Sequence, residues 1–425
     1  IFLMSNNNFV QKEKAMLVGV VYGGLDRNKV DQHLDELRLL TETAGGEVID
    51  TVVQKINRIN PSFFIGTGKA NEIINRAKYQ NISMIIFDDE LSPSHVKNFN
   101  KLSEEMKVID RSALILEIFK QHAQTKEAKT QVELAQLQYM LPLLTRAWTH
   151  LERQMGGIGT RAGAGETQIE VDRRLVRTRI SKLKKELIKI DKEREIQSKR
   201  RGNLFKASLV GYTNAGKSTL MKAMSGADVF IQDQLFATLD TTTRLVELDN
   251  AHSIMLSDTV GFVRKLPHHL VASFKSTLKE VVNSDLILMV LDASSKQVYD
   301  HYEIIMDVLN DLGAERHKTL VVLNKVDHDA AKSQITYLNR KFPKGVFVSA
   351  LNHLRIDVLS KEIMNIMDEV YEVVDLKFSY SDSKAIAQAQ EGVDVLERIY
   401  NNDHVQLKVK GSSWRINQIL SSINK

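Results

Sequence analysis

The chain has 425 residues, 43% of them hydrophobic and 26% charged, which fits folded domains rather than disorder, and its length predicts two to four of them. It contains no cysteine, which excludes disulfides, thiolate metal sites and cysteine nucleophiles and suits a reducing, cytoplasmic setting. A net charge of +5 is mild, so the information lies in where the positive charge sits. Ile1-Phe2-Leu3 before Met4 is too short for the apolar core of a signal peptide. The apolar run Leu286 to Leu291, bounded by Asp285 and Asp292, suits a buried strand and not a membrane span, so a soluble protein with no stable membrane insertion is expected.

Residues 1–127 read as an N-terminal α/β domain. Strands are predicted at Met16 to Val21, Val48 to Val53, Ser83 to Phe87 and Lys107 to Asp110, with helices at Lys29 to Thr43 and Ala113 to Phe119. Ser92-Pro93 has the form of a helix N-cap followed by proline. Gly66-Thr67-Gly68-Lys69-Ala70 imitates a phosphate loop, but Phe63 stands where its first glycine belongs and Ala70 where a hydroxyl belongs, so a structural turn capping a helix is expected.

The period changes at residue 128. Leu134, Leu137, Leu141, Leu144, Trp148 and Leu151 are spaced by threes and fours, as are Val176, Ile180, Leu183, Leu187 and Ile190. Two such seams in succession predict an antiparallel helical hairpin over 128–202, with a bend at Pro142. Between the arms lies a glycine-rich tip, Met155 to Glu166. Arg153, Arg161, Arg173, Arg174 and Arg177 crowd that tip and the start of the return arm, and lysines continue along it. A protruding basic arm of this kind fits RNA, because Arg and Lys neutralise phosphates and glycine permits close approach.

Residues 203–369 carry the densest chemistry. After the apolar run Phe205 to Val210 comes Gly211-Tyr212-Thr213-Asn214-Ala215-Gly216-Lys217-Ser218, then a helical pattern. Strand, glycine-rich turn and helix in that order make a loop whose N–H groups cradle phosphates. Lys217 would reach the β- and γ-phosphates and Ser218 would offer its hydroxyl to Mg²⁺. Phe236-Ala237-Thr238-Leu239-Asp240 follows, with Thr241, Thr242 and Thr243 beyond it. A threonine in this loop suits a switch that senses Mg²⁺ and the γ-phosphate, and spacing alone leaves Thr238, Thr242 and Thr243 open. The strand Ser253 to Ser257 ends in Asp258-Thr259-Val260-Gly261. There Asp258 would hold Mg²⁺ through water, and the Gly261 N–H would meet the γ-phosphate. The strand Leu320 to Leu323 ends in Asn324-Lys325-Val326-Asp327, whose aspartate can accept both donors on the guanine edge; adenine lacks that pair, so GTP is selected. Ser349-Ala350-Leu351 is placed to offer a backbone N–H to guanine O6.

These motifs, following LERQMGGIGTRAGAGETQIEVDRR, closely resemble HflX, a family of ribosome-associated GTPases, over essentially the whole chain. The resemblance implies a fold in which an N-terminal α/β domain and a helical hairpin precede a P-loop GTPase domain with a parallel sheet. It implies hydrolysis of GTP to GDP with Lys217, Thr238 and Gly261 at the chemistry, and Mg²⁺ on Ser218, Thr238 and, through water, Asp258. It also implies GTP-dependent binding to the ribosome, mainly the large subunit and its rRNA, stimulated hydrolysis, and separation or rescue of ribosomes. Thr241 replaces the family's usual proline. Phe262 follows Gly261 where many GTPases carry a water-positioning glutamine, so intrinsic hydrolysis should be slow.

Residues 370–425 predict a small β-α-β-α tail: strands at Val373 to Tyr380 and His404 to Lys410, helices at Lys384 to Tyr400 and Ser413 to Leu420. The twelve histidines show no metal-ligand spacing, and His268-His269 reads as an exposed pair. A cytoplasmic monomer is expected. Two rival functions remain: an ATP-dependent RNA-remodelling activity in the N-terminal domain through Lys69, and a regulatory switch with a protein effector.

Overall fold

Short apolar runs alternating with 3.6-period segments build parallel sheets, and in the computed structural model they do so twice. It describes residues 12–144, 168–200, 204–226, 235–236, 239–249, 252–265, 280–314, 317–379, 386, 389–390, 393–401, 403–412, 416 and 419–420. The described residues fall into two compact units, one drawn from 1–190, 233–240 and 265–275, the other from 191–232, 241–264 and 276–425.

In the first unit the order is β1 (Glu13–Val21), α1 (Arg27–Thr43), β2 (Gly46–Lys55), α2 (Thr67–Tyr79), β3 (Met84–Phe87), α3 (Pro93–Leu102), β4 (Lys107–Asp110) and α4 (Arg111–His122). The strands form one parallel sheet in the order β2-β1-β3-β4. Met16, Val18, Ile85, Phe87, Ile73 and Phe99 lie at its core, each buried side chain contributing about 1.5–3 kcal/mol. Caps set the helix starts. Asp26 accepts the Lys29 N–H at 2.7 Å, and Ser92 forms a capping box with His95 ahead of Pro93. Gly66 is the N-cap of α2, and Lys69 Nζ pairs with Glu72 at 2.6 Å.

A charged cluster is buried where β3 ends. Arg111 bridges Asp88 at 2.9 Å and Glu36 at 2.5 Å, and Lys265, which folds with this unit, reaches Asp88 at 2.6 Å and Asp89 at 2.7 Å. Burial alone would raise the Asp88 carboxyl, but the hydrogen bond from His33 and the charges of Arg111 and Lys265 outweigh it and hold it below the usual range.

The hairpin arms are α5 (Lys126–Leu143) and α6 (Gln168–Arg200). Lys126 pairs with Glu186 and, one heptad on, Glu133 forms a two-pronged pair with Arg179, which fixes an antiparallel register. Leu134, Val176 and Leu183 from the two seams are buried. Pro142 lies in the last turn of α5, and the residues beyond 144 that would show the expected bend lie outside the described residues. Trp148, Leu151 and the glycine-rich tip lie outside the described residues.

The second unit contains β5 (Phe205–Gly211), α7 (Lys217–Ser225), β6 (Thr242–Glu247), β7 (Ser253–Asp258), β8 (Leu286–Asp292), α8 (Val298–Asp311), β9 (Lys318–Asn324), α9 (Asp329–Lys332), α10 (Ile335–Lys341), β10 (Val346–Phe347) and α11 (Ile356–Val370). Its six strands run β10-β9-β8-β5-β7-β6, all neighbours parallel except β6 with β7. Strand β8 is apolar from Leu286 to Leu291, as suits a central parallel strand covered on both faces. Strands β5, β7, β8 and β9 carry functional loops at their carboxyl ends, as open α/β sheets do.

The tail corrects one expectation. It is a three-stranded antiparallel sheet, β11 (Tyr371–Ser379), β13 (His404–Ser412) and β12 (Asp394–Tyr400), in that spatial order. Helical residues occur at 386 and 389–390, but the helix expected to run to Tyr400 gives way to β12. Pairing along β13 supplies hydrogen bonds that the helix-forming Leu396-Glu397-Arg398 cannot outweigh, and Val395 and Ile399 suit a strand.

Asp110 tests how the first unit is tied to its hairpin. It accepts the Leu91 and Ala113 N–H groups at 3.0 and 2.9 Å and the Tyr139 hydroxyl of α5 at 2.9 Å. Asp110→Ala would remove all three bonds, and chemical denaturation should show a loss of about 2–4 kcal/mol in the transition of this unit.

Candidate functional site

The loop between β5 and α7 builds its shape from two left-handed residues, Asn214 at φ 58° and Gly216 at φ 89°. That geometry turns successive N–H groups inward to form an anion-binding concavity at the start of α7. Gly216 is required twice over, since a Cβ there would also lie 2.3 Å from Asn324 Nδ2. Lys217 is buried, and its Nζ donates to the Gly211 and Tyr212 carbonyls at 3.2 and 3.0 Å. Burial pushes its pKa down to about 8, against the opposing charge of Asp258. An ammonium held in so little water gains strongly from a phosphate.

At the end of β7, Ser218 Oγ donates to Asp258 Oδ2 at 2.6 Å, and Thr259 Oγ1 donates to Leu209 O at 2.7 Å. The hydroxyl and carboxylate form a hard oxygen pair beside the phosphate loop, the donor chemistry that Mg²⁺ takes together with phosphate oxygens and water. Gly261 passes so close to the loop that a Cβ would sit 2.9 Å from Thr213 Cα and 3.0 Å from Lys217 Nζ.

Asn324, at the end of β9, ties the loops together. Its Nδ2 donates to Ala215 O and its Oδ1 accepts the Ala350 N–H, both at 3.0 Å. Val326 N–H donates to Val348 O at 3.3 Å, and Lys325 Nζ pairs with Asp292 Oδ2 at 2.9 Å. Asp327 Oδ1 is buried with no hydrogen-bond partner, an acceptor that a guanine edge would satisfy. Of the three residues expected near guanine O6, Ser349 and Ala350 use their N–H groups within the fold, on Leu354 O and Asn324 Oδ1, and Leu351 is exposed.

The remaining predicted residues divide. Thr242 and Thr243 are taken into β6, where Thr243 Oγ1 lies 3.0 Å from Ser257 Oγ. Ala237, Thr238, His268, His269, Arg153 and Arg161 lie outside the described residues. Phe236, Leu239 and Asp240 fold with the first unit: Phe236 meets Phe119 edge-on at 4.7 Å, and Asp240 accepts the N–H groups of Gln124 and Thr125 at 3.2 and 3.3 Å and the Thr125 hydroxyl. Among the described residues, Arg173, Arg174 and Arg177 share a groove on α6 with Lys182, Lys185 and one acid, Glu170. Sequence reasoning missed Asp292 and His301. An acid one strand away from Lys325 has no local pattern, and neither does a histidine on α8.

A phosphate-cradling loop, a buried lysine, a hydroxyl–carboxylate pair and an unsatisfied aspartate on the base side define a guanine-nucleotide-binding P-loop domain. Three family profiles match the chain: "GTP-binding GTPase N-terminal" over 31–120, "GTP-binding GTPase Middle Region" over 122–201 and "50S ribosome-binding GTPase" over 206–325. The GTPase HflX of Flavobacterium psychrophilum is 50% identical over 76% of this chain and 78% of its own length. That of Caldanaerobacter subterraneus is 39% identical over 94% and 91%, and that of Escherichia coli 45% identical over 74% and 73%. Among solved structures, a GTP-binding protein of Sulfolobus solfataricus with GDP is 26% identical over 84% of this chain and 99% of that one, with a TM-score of 0.42. The chain belongs to the HflX family of GTPases, and it is an enzyme that hydrolyses GTP.

The lowered pKa of Lys217 makes nucleotide binding pH-dependent. Above about pH 8 the lysine of the free protein is mostly neutral, and phosphates restore its charge, so binding takes up a proton. Calorimetric titration with GDP at pH 9, in two buffers of different ionisation enthalpy, should show proton uptake and an affinity that falls as pH rises. Buffer-independent heats would contradict the assignment.

Proposed function

We propose that this GTPase binds the ribosome in its GTP state, mainly through the large subunit and its rRNA, and hydrolyses GTP faster when bound, with subunit separation or rescue as the outcome. The observation that carries the reading is the face of α6 on which Arg173, Arg174, Arg177, Lys182 and Lys185 line one groove with one acid among the described residues. A face of one sign exceeds what a solvated helix needs and matches a polyphosphate backbone. The family profile matching 206–325 is itself described as a 50S ribosome-binding GTPase, in keeping with this partner.

In this reading the N–H groups of Asn214 to Lys217 and the Lys217 ammonium hold the β- and γ-phosphates, and Asn324 and Asp327 hold the base. Mg²⁺ bound to Ser218, Thr238 and, through water, Asp258 would neutralise charge developing on the phosphates. Gly261 offers its N–H to the γ-phosphate, and Thr238 reports its presence. Phe262 cannot position water: its side chain is buried and apolar, so free-protein turnover is slow and the missing group comes from elsewhere in the chain or from the ribosome. The protein works as a cytoplasmic monomer.

Steady-state GTP hydrolysis with and without purified large ribosomal subunits, at two salt concentrations, tests the proposal. Strong stimulation at low salt that fades at high salt is expected. An unchanged rate would remove the ribosome as activator.

A further inference from the structure

Residues 262–264, which follow the γ-phosphate-sensing glycine, are stitched to the phosphate loop at three points. Phe262 N–H donates to Gly211 O at 3.0 Å, and Thr213 N–H donates to Phe262 O at 2.7 Å. The third tie is made by a side chain: Arg264 N–H donates to the Tyr212 hydroxyl at 2.7 Å. The Tyr212 ring is stacked face to face on His301 of α8, 3.9 Å between centroids and 9° between planes. Arg264 Nη2 donates to Gln297 Oε1, at the N-cap of the same helix, at 2.8 Å.

We propose that Tyr212 is a positioning residue for hydrolysis, whose hydroxyl, aimed by the stack on His301, holds Arg264 and so keeps Gly261 in register with the phosphate loop. The proposal rests on the reading of Gly261 as the γ-phosphate donor. Residue 212 serves the nucleotide through its backbone, and its side chain takes on this second task. Phe262 and Val263 are both buried, so packing and these ties together hold the stretch against the phosphate loop. Two are backbone bonds that no substitution short of proline removes. The tyrosine hydroxyl is the one that can be deleted alone. Phe262 is thereby assigned a place as well: its backbone closes a β-bridge with Tyr212, and its side chain anchors that bridge instead of facing water. With no glutamine to correct a misplaced water, hydrolysis depends more heavily on where the Gly261 N–H points.

Tyr212→Phe keeps the ring and the stack and removes one hydrogen bond. In the full-length protein, single-turnover GTP hydrolysis should fall about fivefold, the worth of one such bond, while GDP affinity stays within about twofold of wild type. His301→Ala should lower the same rate, and the double variant should lose less than the product of the two, since both act through one contact. A Tyr212→Phe rate equal to wild type, a GDP affinity that falls in step with the rate, or full additivity of the pair would overturn the proposal. Gly261→Ala separates the two layers. If that variant hydrolyses GTP normally, the reading of Gly261 itself fails, whatever Tyr212 does.

Discussion

The nucleotide site depends on the two hydrogen bonds of one buried amide. Asn324 donates to Ala215 in the loop between β5 and α7 and accepts from Ala350 in the loop after β10, so these loops become one frame. Buried in little water, each bond is costly to leave unmade. Around it the chain has little latitude: Gly216 must lack a side chain because Asn324 lies against it, and Gly261 must lack one because Thr213 and Lys217 do. Glycines that look like signals of flexibility are here consequences of crowding.

Electrostatics follow from the same closeness. Lys217 is buried within the loop between β5 and α7, and that burial is what lowers its pKa. Asp327 keeps an unsatisfied oxygen in the interior, a state that native proteins tolerate where a ligand completes the bonding. Each departure from a comfortable interior lies at the point where guanine nucleotide chemistry needs it.

Much of this was legible in the residues. Elements with strong periodicity and clear caps, such as α1, α3 with its Ser92-Pro93 start, and the strand–loop–helix around Gly211 to Ser218, emerge where the pattern placed them. Contacts between residues distant in sequence were not legible. Nothing local marks Asp292 as the partner of Lys325, or His301 as the platform under Tyr212. In the tail, local helix propensity misled through Tyr400, because a strand partner at β13 decides the conformation.

The central claim, that one asparagine welds the phosphate and base loops into a single frame, is tested most directly by amide hydrogen exchange on the wild type and Asn324→Ala. The account predicts faster exchange at residues 211–216 and 348–351 together, with strand β5 from 205 to 210 unchanged. Acceleration confined to 324–327 would contradict it, and would show that the loops hold their shapes independently.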